Sequence, residues 1–150
     1  MTPPVPVIKA FDALSLQELH ACLKLRGEVF VVGQKICAVP DVDAFDPQCR
    51  HAMVWQDQVL VGTARLLAID GGRAIKVGRL AVDEAYRGRG VGGALMRAAQ
   101  GWIVAQPGRS GVMSAQRYLE DWYAALGWRA EGEHYAEAGI DHVKMVYRVS

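Results

Sequence analysis

A strand-like run ending at Val82 is followed, after Tyr86, by Arg87-Gly-Arg-Gly-Val-Gly-Gly93, and that segment opens into a helical pattern over 91–104. Four glycines at a strand-to-helix junction constrain the fold more than any other feature of the chain. Glycine tolerates left-handed backbone and has no Cβ, so the turn can be tight and a ligand can approach the main chain closely. A helix starting there leaves its first N–H groups unpaired and presents the positive end of its dipole. Such a spot suits a phosphate, and Arg87 and Arg89 add formal charge at the rim.

Gly88, Gly90 and Gly93 satisfy the G-x-G-x-x-G spacing of a dinucleotide site, but the context is wrong for one. That fingerprint follows the first strand of a βαβ unit and expects an acidic residue about 20 positions on. Here antiparallel strands precede the glycines, and the next strand, 112–115, ends without Asp or Glu. A P-loop is excluded as well, because no G-K-S/T follows.

The surrounding pattern frames that junction. Ser15 and Glu18 make an S-x-x-E capping box, and Leu16, Leu19, Leu23 and Phe30 recur on one face of the helix it opens. Residues 39–47 are rich in turn formers and read as a loop. Three strand-like runs, 51–56, 59–67 and 74–82, are separated by short polar breaks and predict an antiparallel meander. In the helix over 91–104, Ala94, Leu95, Ala98, Ala99 and Trp102 face inward; a short strand over 112–115 and a helix over 119–126 ending at Gly127 follow. A last hairpin joins 128–135 to 142–149, with Val143, Met145, Tyr147 and Val149 on one face. The order of elements predicts one α+β (mixed α/β) domain over residues 1–150, with 1–6 as a flexible N-terminal extension.

Composition narrows the function. Lys and Arg number 17 against 16 for Asp and Glu, a balance that argues against nucleic acid as partner. The three cysteines, Cys22, Cys37 and Cys49, show no C-x-x-C pair and no metal spacing, so reduced thiols and no metal are expected. Cys37 has no basic neighbour in sequence to activate it, and no G-x-S-x-G elbow makes Ser110 a nucleophile. The longest uncharged stretch, 98–108, falls short of the roughly 20 residues a membrane span needs. The start of the chain lacks a signal-peptide pattern, so a cytoplasmic protein is expected.

The run Arg87-Gly-Arg-Gly-Val-Gly92 resembles the acyl-CoA-binding signature [RQ]-x-x-G-x-[GA] of the GNAT superfamily of N-acetyltransferases. Its position also resembles the family's, after the fourth strand and at the start of the third helix. Further matches run along the chain: Arg26-x-x-Val-Phe30, Gln34, Val61-Gly-Thr-Ala-Arg65, Ala115-Gln116, Leu119-x-x-Trp-Tyr123-x-x-Leu-Gly-Trp128 and Tyr135-x-Glu-x-Gly-Ile-x-His142-x-x-Met145. Together they resemble the ElaA-like branch.

That resemblance implies a GNAT-like fold, with a central, mostly antiparallel sheet splayed between strands 4 and 5 and flanked by helices. It implies acetyl-CoA as cosubstrate, an amine on a small molecule or peptide as acceptor, direct attack without a covalent enzyme intermediate, and possible homodimers. Backbone amides of Arg87, Gly88, Arg89, Gly90, Val91 and Gly92 would cradle the CoA pyrophosphate. The strand edge at Leu80, Ala81 and Val82 would pair with the pantetheine arm, with an amide near Leu80 or Ala81 polarising the thioester carbonyl. Tyr123 matches the family tyrosine that protonates the departing thiolate, whereas Trp122 reads as packing. Gln116 either lines the cofactor cleft or caps a strand end.

The general base and the acceptor site stay open. His51 and His142 titrate in a useful range, yet each begins a predicted strand, where histidine often bonds to backbone. Asp41 and Asp43, with Asp46, form an acidic loop that would favour a cationic amine or simply make a turn. ElaA-like sequences carry an acid just before Gln34, where this chain has Gly33, and its 34–43 loop is about one residue longer. A non-catalytic acyl-CoA-binding or interaction domain is the competing reading.

Overall fold

The computed structural model describes residues 4–36 and 40–148. Its strands are β1 (Val7–Ala10), β2 (Arg50–Gln56), β3 (Val59–Ile69), β4 (Ala74–Val82), β5 (Ser110–Gln116), β6 (Arg129–Glu137) and β7 (Ile140–Tyr147). They form one sheet in the order β1-β2-β3-β4-β5-β7-β6, in which only β4 and β5 run parallel. The helices are α1 (Leu16–Arg26), α2 (Val91–Val104) and α3 (Glu120–Ala125).

The meander β2-β3-β4 forms where alternation predicts it. Asp57 and Gln58 turn the first hairpin with both residues left-handed, φ 50 and 65, as a two-residue turn between right-twisted strands requires. The strand β1 is not anticipated by the sequence pattern. Its four residues are too few to show alternation, and they form by pairing with β2, Val7 opposite Met53.

The capping box opens α1 as expected: Ser15 Oγ accepts the Glu18 N–H at 3.0 Å and Glu18 Oε1 accepts the Ser15 N–H at 2.8 Å. The buried face of this helix differs from the predicted one. Leu16 is exposed, Leu19, Leu23 and Phe30 are half-buried, and the residues against the sheet are Cys22, Leu25 and Arg26. An apolar stripe misleads here because a fully buried arginine, satisfied by carboxylates, belongs to the inner face. Beyond α1 the chain continues through Gly27–Gly33 in wide π-type turns, with Gln34 N–H donating to the Val29 carbonyl at 2.9 Å.

Two clusters sandwich the sheet. On one face α2 packs Leu95, Met96, Ala99 and Ile103 onto Ala52, Val61, Leu66 and Ile75; each large apolar side chain so buried contributes about 1.5–3 kcal/mol. Of the predicted inward residues Ala94, Leu95 and Ala99 are buried, while Ala98 and Trp102 are half-buried at the margin. On the other face α1 covers Met53, Leu60 and Ala81. Gly62 lets α2 approach β3, since a Cβ there would lie 2.5 Å from Val91 Cγ1.

The predicted helix over 119–126 is a short 3-10 turn, Arg117–Leu119, running into α3. Gly127, at φ 105, ends it. On β7 Val143 and Met145 are buried as expected, but His142 and Val146 on the other face are buried too; Val149 lies outside the described residues. No helix among the described residues is long and apolar enough to cross a membrane.

The feature that makes a site is the split between β4 and β5. The two strands pair only at Ala74–Ser110, Ile75–Gly111 and Lys76–Val112. Beyond that they diverge, and a bulge in β4 helps: Arg79 and Leu80 together oppose Ala64, with Arg79 left-handed at φ 52.

Candidate active site

The split opens a cleft of about 660 Å³ between β4 and β5. Leu80 lies on its β4 wall, Met113, Ser114 and Gln116 on β5, Tyr123 on α3, and Phe30 and Gln34 come from the π-type segment. The backbone of β4 past Lys76 has no β5 partner, so one edge of residues 77–82 faces open space. Leu80 and Val82 are half-buried, and Ala81 turns its methyl into the α1 cluster.

The chain leaves β4 through a turn in which Asp83 accepts the Ala85 N–H at 2.9 Å, then enters the glycine loop. Gly88 (φ 76) and Gly90 (φ 81) are both left-handed, the conformation for which glycine is needed. Gly90 is the N-cap of α2 and has no side chain to cap with, so the first amides of the helix, from Val91 to Gly93, stay available to an external acceptor. Arg87 and Arg89 are exposed at the rim, and Arg89 lies 5.2 Å over the Tyr86 ring. Val91 is buried beneath the loop. The Trp122 ring sits 3.4 Å from where a Cβ on Gly92 would be, and meets Tyr123 edge-on at 4.9 Å. Trp122 thus ties the α2 N-terminus to Tyr123 by packing.

Tyr123 is buried at the cleft. Burial, with a smaller effect of Tyr118, pushes its hydroxyl pKa up to about 12, so it is held as a neutral proton donor. Gln116 and Gln34 bridge the cleft through reciprocal amide hydrogen bonds of 3.1 and 3.5 Å.

The structure brings the acidic loop to the cleft but gives it arginine partners that sequence reasoning missed. Arg26, fully buried, donates from Nη1 and Nη2 to Asp46 at 2.8 and 3.2 Å, from Nε to Asp41 Oδ2 at 3.1 Å, and from Nη2 to the Asp41 carbonyl at 2.7 Å. Arg65 grips both oxygens of Asp43 at 2.7 and 2.8 Å and reaches Asp46 at 3.0 Å. The bulge aims Arg79 at the Asp41 carbonyl and at Asp43 Oδ2, 3.3 Å away. Its Nε is also 3.1 Å from Asp41 Oδ1, although that oxygen accepts no aligned hydrogen bond. Hydrogen bonds from Arg65 hold the Asp43 carboxyl far below the usual carboxylate range. Burial opposes ionisation of Asp46, but Arg26 and Arg65 outweigh it and lower its pKa. Three arginines against three aspartates leave this end of the cleft charge-compensated. Arg65 was visible only as part of a strand motif, and no local signal linked it to the loop.

The two histidines part company. His51 is buried outside the cleft lining, its Nε2–H donating to the Asp46 carbonyl at 3.0 Å, and burial keeps its pKa low. Its expected role toward the acceptor is therefore not supported by its position; it braces the loop. His142 lines the cleft. Cys22 and Cys49 are buried with thiol pKa values raised by burial, and Cys37 lies outside the described residues.

A family model described as an acetyltransferase (GNAT) domain matches residues 42–149. Protein ElaA of Escherichia coli is 36% identical over 140 residues, 91% of each chain. Its crystal structure superposes with a TM-score of 0.88 at 32% identity, covering 97% of this chain and 99% of that one. The crystal structure of an acyl-CoA N-acyltransferase from Pseudomonas aeruginosa superposes at 0.87 with 36% identity and the same coverage. The uncharacterized N-acetyltransferase YjcF of Bacillus subtilis is 31% identical over 141 residues, 93% of this chain and 99% of its own. These likenesses support acyl transfer from an acyl-CoA. With a family model over most of its length and relatives that match it nearly end to end, the chain belongs to the GNAT acetyltransferase family, in the ElaA-like branch.

Proposed function

We propose that this protein is an N-acetyltransferase that moves the acetyl group of acetyl-CoA directly onto a primary amine of a small molecule or peptide. The observation that carries the reading is the glycine-capped start of α2, with free amides and two left-handed glycines, reached just past the end of β4, whose last residues have no β5 partner. In this reading the amides of residues 87–92 hold the CoA pyrophosphate, helped by Arg87 and Arg89. The open edge at Leu80, Ala81 and Val82 pairs with the pantetheine arm as an added strand does. A backbone amide near Leu80 or Ala81 polarises the thioester carbonyl. Tyr123 donates its proton to the thiolate, and Gln116 lines the cleft.

The interaction-domain alternative leaned on Gly33. A Cβ at that position would lie 3.2 Å from the Glu28 carbonyl, a close contact that favours glycine there on packing grounds alone. The test is a calorimetric titration of the protein with acetyl-CoA, free CoA and NADH. Binding of both CoA species without NADH is expected; failure of both to bind would sink the assignment.

A further inference from the structure

Tyr123 lines the cleft from α3, and the same cleft carries a polar cluster without a role. Because β5, β7 and β6 lie side by side, Gln116, His142 and Tyr135 form one row across three strands. The Tyr135 ring stacks on the imidazole, 24° off parallel at 6.2 Å. Ser114 Oγ hydrogen-bonds the Tyr135 hydroxyl and donates to Glu137 Oε2 at 3.2 Å. Ser114, Glu137 and His142 all line the cleft.

The imidazole is held in one tautomer. His142 Nδ1 lies 2.7 Å from the Ile140 carbonyl, which can only accept, so Nδ1 carries the hydrogen. The neutral ring then keeps its lone pair on Nε2, 3.5 Å from Glu137 Oε2. Two electron-rich atoms facing each other are unfavourable, and a proton on Nε2 turns the contact into an ion pair. The other groups nearby add little charge. Gln116 from β5 is neutral and Tyr135 is a phenol, while Arg117, in the turn after β5, and Asp141, next to His142 on β7, pair with each other at 3.7 Å.

We propose that His142 is the general base of the transfer and that Glu137 is the positioning residue that holds the imidazolium; this rests on the acetyl-transfer reading of the same cleft. The acceptor ammonium gives one proton to Nε2. Its nitrogen then bonds the thioester carbon as the C–S bond breaks. Tyr123 protonates the departing thiolate, the second nitrogen proton goes to the phenolate so formed and restores the hydroxyl, and the imidazolium proton leaves to solvent past the half-exposed Glu137. Phe30, Ile36, Phe45 and Leu67 line the same cleft alongside Asp41, Asp43 and Arg65, so a primary amine with an apolar body is the probe chosen.

The experiment follows CoA release from the full chain with acetyl-CoA and phenethylamine across pH. Long-range proton–nitrogen NMR of the histidine rings in the acetyl-CoA complex accompanies it. Expected are an Nδ1–H tautomer and a His142 titration that coincides with the acid limb of kcat. Glu137→Gln should move both to lower pH, because the lost negative charge no longer favours the imidazolium. His142→Gln should lower kcat about 100-fold or more with acetyl-CoA affinity unchanged. An Nε2–H tautomer, undiminished kcat in His142→Gln, or a limb that Glu137→Gln leaves in place overturns the proposal; a purely structural histidine would not move the limb. Wild-type protein that fails to bind acetyl-CoA overturns the acetyl-transfer reading, whereas binding with an unmoved limb overturns only the base.

Discussion

Arg26 and Asp46 stand 20 positions apart in sequence and meet through two hydrogen bonds of 2.8 and 3.2 Å, with their side chains only 2% and 5% exposed. This pair pins the end of α1 to the loop that brings Asp41 and Asp43 to the cleft. Around it, Asp41, Asp43, Arg65 and Arg79 complete a network that no single element contains.

Removing Arg26 leaves the carboxylates of Asp41 and Asp46 buried without their main donor. Breaking a buried pair from one side costs about 3–5 kcal/mol. Arg26→Met should therefore show that loss in urea unfolding at neutral pH. A loss below about 1 kcal/mol would mean that the network is solvated rather than structural.

The same network sets the acid limit of stability. Asp43 and Asp46 both have folded pKa values below the ordinary aspartate value, the first through hydrogen bonds from Arg65, the second because Arg26 and Arg65 outweigh its burial. A carboxylate that binds its proton less tightly when folded stabilises the fold fully above its unfolded pKa, near 3.9, and loses that contribution as pH falls through the folded value. The melting temperature should decline below about pH 4, and Asp43→Asn should be less stable at neutral pH but decline less. Parallel pH curves for the two proteins would contradict this.

How much of this was legible from the residues varies with the range of the interaction. The bounds of α2 and β4 follow from local periodicity and came out as 91–104 and 74–82, and the glycine loop was readable because left-handed turns need glycine. The ionic network was not, since Arg26–Asp46 and Arg79–Asp43 join residues 20 and 36 positions apart. Its absence from the reading also misplaced the inner face of α1 and left Asp41 and Asp43 looking free for an amine. His51 and His142 looked equivalent as strand openers; only the fold puts one under Phe11, with ring centres 6.1 Å apart, and the other on the cleft.

Gly62 is a packing requirement rather than a flexible joint. Its missing Cβ would lie 2.5 Å from Val91 Cγ1 and 2.9 Å from Leu95 Cδ1, and valine, branched at Cβ, has little rotamer freedom to retreat. Gly62→Ala should cost about 1–3 kcal/mol, read as a fall in melting temperature. Adding Val91→Ala should recover part of it. No recovery in the double variant would place the strain elsewhere.

Tyr123→Phe removes a proton donor while preserving the ring that Trp122 meets edge-on. Turnover should fall about 100-fold or more with acetyl-CoA affinity retained. Because the wild-type hydroxyl stays protonated up to about 12, its ionisation should contribute no loss of rate through the neutral and mildly alkaline range. Unchanged turnover in the phenylalanine variant would remove Tyr123 from the chemistry.

The phosphate assignment can be separated from backbone strain at Gly90, whose φ of 81 penalises any side chain. Asparagine tolerates that conformation and is neutral, whereas glutamate adds a negative charge at the N-terminus of α2, where the pyrophosphate is proposed to lie. Gly90→Asn and Gly90→Glu should both unfold at somewhat lower urea than the wild type. Space is not the obstacle, since no atom lies within 4 Å of the Cβ position. Acetyl-CoA affinity should fall tenfold or more, about 1.4 kcal/mol, from the asparagine to the glutamate variant. Equal affinities for the two variants, with both folded by circular dichroism, would show that the pyrophosphate binds elsewhere.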